Sequence, residues 1–174
     1  MQTQIPLPND EQLAPDVRKT LNSVPPANIF RMMANAPTSL KPFIALATSI
    51  LAQSEFDMCK RELVILRIAH VTQSHYEWVQ HVRIAQIVGV TDEEINKIAV
   101  NGPVQGVDEE MQLLYRVAEE ISLNVRLSDD ALTAILQRYG QRQATELILC
   151  CSYFNMVSRF LESTRVPLED AAVI

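Results

Sequence analysis

Glycine is scarce in this sequence. Its four glycines, Gly89, Gly102, Gly106 and Gly140, share no phosphate-cradling spacing, which excludes a P-loop or a dinucleotide fingerprint. So few glycines beside so much Ala, Leu, Ile, Glu and Gln also argue against a turn-rich β-protein. Cysteine is limited to Cys59, Cys150 and Cys151, with no CxxC pair. A dithiol redox centre of that kind is therefore excluded, and an odd count without framework spacing fits a reducing cytoplasm. Positive charge is in short supply, 15 Lys and Arg against 21 Asp and Glu for a net charge of -6, so no nucleic-acid partner is expected. Long apolar runs are missing too. The longest uncharged run, between Lys41 and Glu55, is 13 residues, too short to cross a bilayer. Met1-Gln2-Thr3-Gln4-Ile5-Pro6 has neither the basic start nor the apolar run of a secretory leader. No membrane partner is expected.

What is present reads as one all-α domain. Residues 1–9 hold two prolines and little pattern, and a first helix is expected over Asp10–Ser23, ended by Pro25-Pro26. Residues 1–25 thus form an arm and first helix ahead of a main domain, 26–174. Further helices are expected at about Asn28–Asn35, Ser39–Gln53, Asp57–Thr72 and Ser74–Val88, the last stopped by Gly89. Thr91-Asp92-Glu93-Glu94 is a capping box for a helix to about Val100. Another follows over Asp108–Asn124. Ser128 caps one that ends at Tyr139-Gly140, and the last runs over Gln141–Ser163. Its middle is apolar almost all round, which marks burial in a core or an oligomer.

Two helices carry polar groups on apolar faces. Around Glu62, the residues Met58, Cys59, Ile65, Leu66 and Ala69 lie within roughly 60° on a helical wheel, while Lys60 and Arg67 fall on the far side. A carboxylate in mid-stripe needs a partner from another helix, or a proton. In the next helix Trp78, Ile84, Ala85 and Val88 form the apolar side with His81 at its centre, and Glu77 sits one turn before His81. Gln80, Arg83 and Gln86 point away, as does Tyr76. The link between the helices is only about Gln73, so they are antiparallel neighbours. A Glu62–His81 contact in their interface follows, with Glu77 nearby. Glu77 has an equal claim as the N3 member of a Ser74-His75-Tyr76-Glu77 capping box. The three groups offer two oxygens and one nitrogen, but not a recognised ligand spacing, and no metal is expected. Cys59 lies one turn before Glu62 and is placed to line the same pocket, with nothing marking it as an activated thiolate. His70 and His75 read as surface or edge residues.

The stretch Arg61-Glu62-Leu63-Val64-Ile65-Leu66-Arg67, then Ser74-His75-Tyr76-Glu77-Trp78-Val79-Gln80-His81, Ala85, and Gly89-Val90-Thr91-Asp92-Glu93-Glu94-Ile95, resembles the carboxymuconolactone decarboxylase family, which shares its fold with the alkylhydroperoxidase D-like (AhpD-like) proteins. Tyr-Glu-Trp-x-x-His is the specific part. Asn28-Ile29-Phe30-Arg31, Tyr153 and Asn155 extend the likeness over about residues 26–166. The resemblance implies an all-α, AhpD-like fold assembling as dimers, trimers or hexamers. The peroxidase branch carries Glu-x(11)-Cys-x(2)-Cys-x(3)-His, and here the same spacing reads Glu62, Ser74, Glu77, His81. A hydroxyl and a carboxylate cannot form a sulfenic acid and a resolving disulfide, so the proton-handling half of that site is what remains.

The decarboxylase branch, by the same resemblance, needs no metal or organic cofactor. His81 is then the proton donor to carbon, Glu62 fixes its tautomer, and Glu77 is a second proton carrier. Ser74, Tyr76, Trp78 and Cys59 are the expected substrate contacts. Arg31 is the expected cation for a small acidic substrate, because Arg61 and Arg67 face elsewhere. The leading function is a cofactor-independent lyase or isomerase acting on a small unsaturated or lactone carboxylic acid. The alternatives are a peroxide-reducing protein using Cys59, Cys150 or Cys151, and a non-catalytic helical oligomer.

Overall fold

Helix α4, Met58–Val71, is the axis of the structure. In the computed structural model, which describes residues 3–170, every residue of α4 from Arg61 to Ala69 is buried. Around it pack α5 (His75–Ile87), α6 (Asp92–Ile98), α7 (Glu109–Asn124) and α8 (Asp129–Thr164). The shorter α1 (Pro15–Leu21) and α2 (Asn28–Met33), with α3 (Pro37–Ala52), close one side. The described residues contain no strand, and no helix among them is long and apolar enough to cross a membrane. The all-α reading is therefore correct.

Local signals set most boundaries. Asp57, Thr91, Asp108 and Ser128 each cap a helix through the side chain, and Thr91 with Glu94 completes the expected capping box. The expected helix over Asp10–Ser23 is instead a 3-10 turn, Asp10–Gln12, followed by α1. Pro15 explains the break: it has no N–H to donate to a preceding turn, but it fits the first position of a new helix. The two helices expected on either side of Gly140 form one long element with a break at that residue. Its φ of 69° and ψ of 178° lie in a region open essentially to glycine alone.

Two apolar cores meet at α4. Val64, Ile65 and Ile68 join the larger one, built with α3, α7 and α8, while Leu63 and Leu66 join a smaller one with Ala85, Ile95, Ile98 and Tyr115. Leu13 and Val17 of the first 25 residues pack into the larger core. Because α4 is covered all round, its polar residues are buried as well. Arg67, expected on the far side, is 1% exposed. Its guanidinium donates to the carbonyls of Ile98 (2.9 Å), Val100 (2.7 Å) and Gly102 (2.6 Å) and to Glu119 (2.8 Å). One side chain thus holds the turn after α6 against α4 and α7.

Arg67→Met keeps the apolar volume but leaves those carbonyls and Glu119 without a donor. It should destabilise the fold by about 3–5 kcal/mol and lower Tm by roughly 10 °C in a thermal melt followed by circular dichroism. A change in Tm below about 2 °C would show that the clamp contributes little.

Candidate active site

The α4–α5 hairpin builds the site. Gln73 takes a left-handed φ of 57° between the helices, which turns the chain tightly enough for Glu62 and His81 to face each other. His81 Nδ1 lies 2.7 Å from Glu62 Oε2, with Glu62 fully buried. An ionised carboxylate only accepts hydrogen bonds, so the imidazole carries its hydrogen on Nδ1. That leaves Nε2, which has no protein partner among the described residues, on the wall of a pocket. Burial disfavours the imidazolium, but the Glu62 carboxylate outweighs it and holds the His81 pKa above its ordinary value. The ring stands edge-on to Phe154, 4.9 Å between centroids.

Arg61 was expected to face elsewhere. It is buried, with Nε 3.6 Å from Glu62 Oε1 and Nη1 donating to the Ile50 carbonyl at 3.4 Å. Glu62 is therefore flanked by a cation on one oxygen and by His81 on the other. The gap on the Arg61 side is too long for a hydrogen bond, and both facing atoms lack one.

Glu77 is not a helix cap. Ser74 occupies the N-cap position without a side-chain cap bond, and the Glu77 side chain turns inward, where its Oε2 accepts from the Ser158 hydroxyl of α8. Its other oxygen is buried without a partner. Burial pushes this carboxyl up to about 7, against the lowering influence of His81 and Ser158. A carboxyl that exchanges its proton near neutrality beside an imidazole is a usable second proton carrier.

The pocket measures about 120 Å³, somewhat smaller than a cavity of about 150 Å³ that takes up benzene. Tyr76, Glu77, Gln80 and His81 of α5 give it one polar wall. The remainder is apolar, including Phe30, Phe43, Tyr153, Phe154 and Leu161. No lysine or arginine lines it.

The structure thus brings Glu62, Glu77 and His81 together and scatters several expected substrate contacts. Tyr76, placed on the outer side by the wheel, is buried and lines the pocket. Gln80, expected to point away, does the same. Ser74 is buried, its hydroxyl unpartnered, and together with Trp78, His70 and His75 it borders a different depression. Arg31 binds Asp10 and the Pro8 carbonyl, both at 2.9 Å, and holds the N-terminal arm. Cys59 donates its thiol to the Val88 carbonyl at 3.0 Å, and burial raises its pKa. Neither Arg31 nor Cys59 lines the pocket. Sequence reasoning missed Ser158 and the role of Phe154. Their signal was a small polar residue one turn after an aromatic on an otherwise apolar face of α8.

Residues 37–120 match the family model of the carboxymuconolactone decarboxylase family. Over that segment the chain is similar to this family. The match includes Glu62, Glu77 and His81. The fold is similar to the crystal structure of an alkylhydroperoxidase AhpD core, a peroxidase-related protein from Ralstonia eutropha, with a TM-score of 0.81 and 16% identity over 96% of this chain and 92% of that one. A peroxidase-related protein from Silicibacter sp. gives a TM-score of 0.78 and 15% identity over 97% and 91%. A protein of unknown function from Agrobacterium tumefaciens gives 0.70 and 16% over 80% and 97%. No curated protein matches the chain. The fold is thus AhpD-like, in a chain with no CxxC pair that carries Ser74 and Glu77 between Glu62 and His81.

Glu77 also predicts a pH dependence of stability. Its pKa rises on folding from 4.5 to about 7, so the folded chain keeps a proton that the unfolded chain releases. The stability linked to this group is complete below pH 4.5 and is lost as pH rises through 7. Glu77→Gln, a mimic of the protonated acid, should match wild type near pH 4 and exceed it near pH 8 by roughly 3 kcal/mol, read from denaturant midpoints. A difference independent of pH would contradict a buried carboxyl titrating near neutrality.

Proposed function

We propose that this chain is a carboxymuconolactone decarboxylase-like enzyme that works by proton transfer on a small unsaturated or lactone carboxylic acid, with no resident cofactor. The observation that carries the reading is His81 Nε2, free on the wall of a small apolar pocket while Nδ1 is held by buried Glu62. A general acid or base must present one nitrogen to the substrate and have its tautomer fixed at the other. In a decarboxylation, the electron pair of the broken C–C bond passes into the conjugated carbonyl system as CO2 leaves. His81 Nε2–H then delivers its proton to carbon, and solvent returns a proton to the ring. In a double-bond shift, the same nitrogen removes a proton from one carbon and Glu77 or His81 supplies one to another. Glu62 acts through His81 as a positioning residue. Three unpaired cysteines suit a reducing cytoplasm, which belongs to the same proposal.

A second reading is peroxide reduction at a thiol, favoured by the peroxidase-related structures of similar fold. The thiols weigh against it. Burial raises the pKa of Cys59 and of Cys150, and pushes Cys151 up to about 12. The thiolate is the reactive form, and none of the three lines the pocket. A variant lacking all three cysteines should keep whatever activity the protein has. Loss of peroxide reduction in that variant alone would favour the thiol reading.

Turnover of a panel of unsaturated and lactone carboxylic acids, followed as CO2 release and ultraviolet change, tests the leading reading. His81→Gln should lower kcat by about 10²–10⁴-fold with an unchanged circular dichroism spectrum. Glu62→Gln should lower it less and move the pH profile to lower pH, because the raised His81 pKa depends on that carboxylate. Full activity in His81→Gln would refute a proton-transfer role.

A further inference from the structure

A substrate acid needs an anchor, and the pocket offers no cation. The C-terminal tail shows where such an anchor lies. After α8 the chain turns at Arg165, whose φ is 57°, buries Val166, and runs back across α2 and α5. There the Glu169 carboxylate is held by three donors from two separate elements. Tyr76 donates its hydroxyl to Oε1 at 2.6 Å, the backbone N–H of Asn28 donates to the same oxygen at 2.5 Å, and the Gln80 amide donates to Oε2 at 2.5 Å. Asn28 Nδ2 also holds the Pro167 carbonyl at 3.1 Å. No lysine or arginine pairs with Glu169 among the described residues. The tail carboxylate therefore rests on neutral donors alone.

Two of those donors line the pocket and the third adjoins it. Tyr76 and Gln80 line it, and Asn28 lies between Ala27 and Ile29, which line it too. Gln80 is only 5% exposed, and its Oε1 is buried without a partner. The hydrogen bond its amide makes is the one to Glu169. A buried amide with half its capacity unmet costs free energy, and packing alone would be served better by an apolar side chain. An amide kept in this position is suited to giving its N–H to a carboxylate.

We propose that Asn28 N, Tyr76 Oη and Gln80 Nε2 form the carboxylate subsite of the pocket, and that Glu169 fills it as an internal stand-in which a small acid must displace. The acid group would then sit on the Tyr76–Gln80 edge, with its apolar body beside His81 and Phe154. This rests on the reading of the pocket as a site for a small acid. It accounts for recognition without a cation, because a carboxylate accepting several hydrogen bonds is stabilised in its charged form. It also makes affinity depend on the tail. A tail closed nine-tenths of the time would weaken apparent binding about tenfold.

The experiment is an NMR titration of the full chain with crotonate, and in parallel with crotonamide, its neutral counterpart. Glu169→Ala should bind crotonate about tenfold more tightly than wild type, with little change for crotonamide. Glu169→Gln, which keeps the side-chain length, should move the same way by less and guards against a folding defect in the alanine variant. Tyr76→Phe placed on Glu169→Ala should reverse most of the gain. Equal crotonate affinity in wild type and both Glu169 variants would overturn the subsite, and so would saturable binding in none of them. Binding does not need a proton donor, so His81→Gln combined with Glu169→Ala should still bind crotonate. A pocket that binds crotonate in this tail-dependent way, while turnover is indifferent to His81, would overturn the proton-transfer reading and leave the subsite standing. Intact His81-dependent turnover without the Glu169 effect would overturn the subsite alone.

Discussion

A fully buried carboxylate constrains everything around it. Glu62 sits in the middle of the central helix, where neither water nor a surface counter-ion reaches it. Its desolvation is offset by His81, brought from α5 to 2.7 Å, and by the adjacent Arg61 at 3.6 Å. To deliver His81, α5 must pack antiparallel to α4 at a fixed register, and the left-handed Gln73 supplies the turn. Once that register is set, Glu77 falls on the same side as His81, one helical turn before it, and Tyr76 and Gln80 on the adjoining face complete the pocket wall. The polar wall of the pocket thus follows from satisfying one buried charge.

The rest of the fold shields this arrangement. Helix α8 places Phe154 against the imidazole and Ser158 against Glu77, so both titratable side chains are held from a third helix. Arg67 binds the turn after α6 to α4 and α7, which keeps the smaller core closed behind α5. Around Nε2 the pocket is mostly hydrocarbon. In such surroundings a charge or a proton on His81 or Glu77 acts more strongly than in water.

The fold was legible in the sequence where local rules governed it. Capping residues, the 3.6-residue period and the glycine stop placed the helices to within a few residues, and the expected Asp108–Asn124 differs from α7 only because Asp108 is its cap. Glu62 and His81 stood out because a polar group in mid-stripe demands a partner. The wheel failed where its assumption of a single buried face failed. Helix α4 is covered on all sides, so Arg61 and Arg67 are buried despite opposite positions on the wheel. Tyr76 and Gln80 are buried because the tail and α2 cover a second face of α5. No local pattern announces that cover. Glu77 illustrates the same limit: Ser158, 81 residues away, holds its side chain inward instead of at the helix cap.

The central claim is that Glu62 fixes the tautomer of His81 and raises its pKa, leaving Nε2 to exchange the proton. Nitrogen-15 NMR of the imidazole across pH measures both properties at once. The account predicts a hydrogen on Nδ1 in the neutral ring, titration at Nε2, and a midpoint above the ordinary value of 6.5. A neutral ring with its hydrogen on Nε2, or a midpoint at or below 6.5, would contradict it.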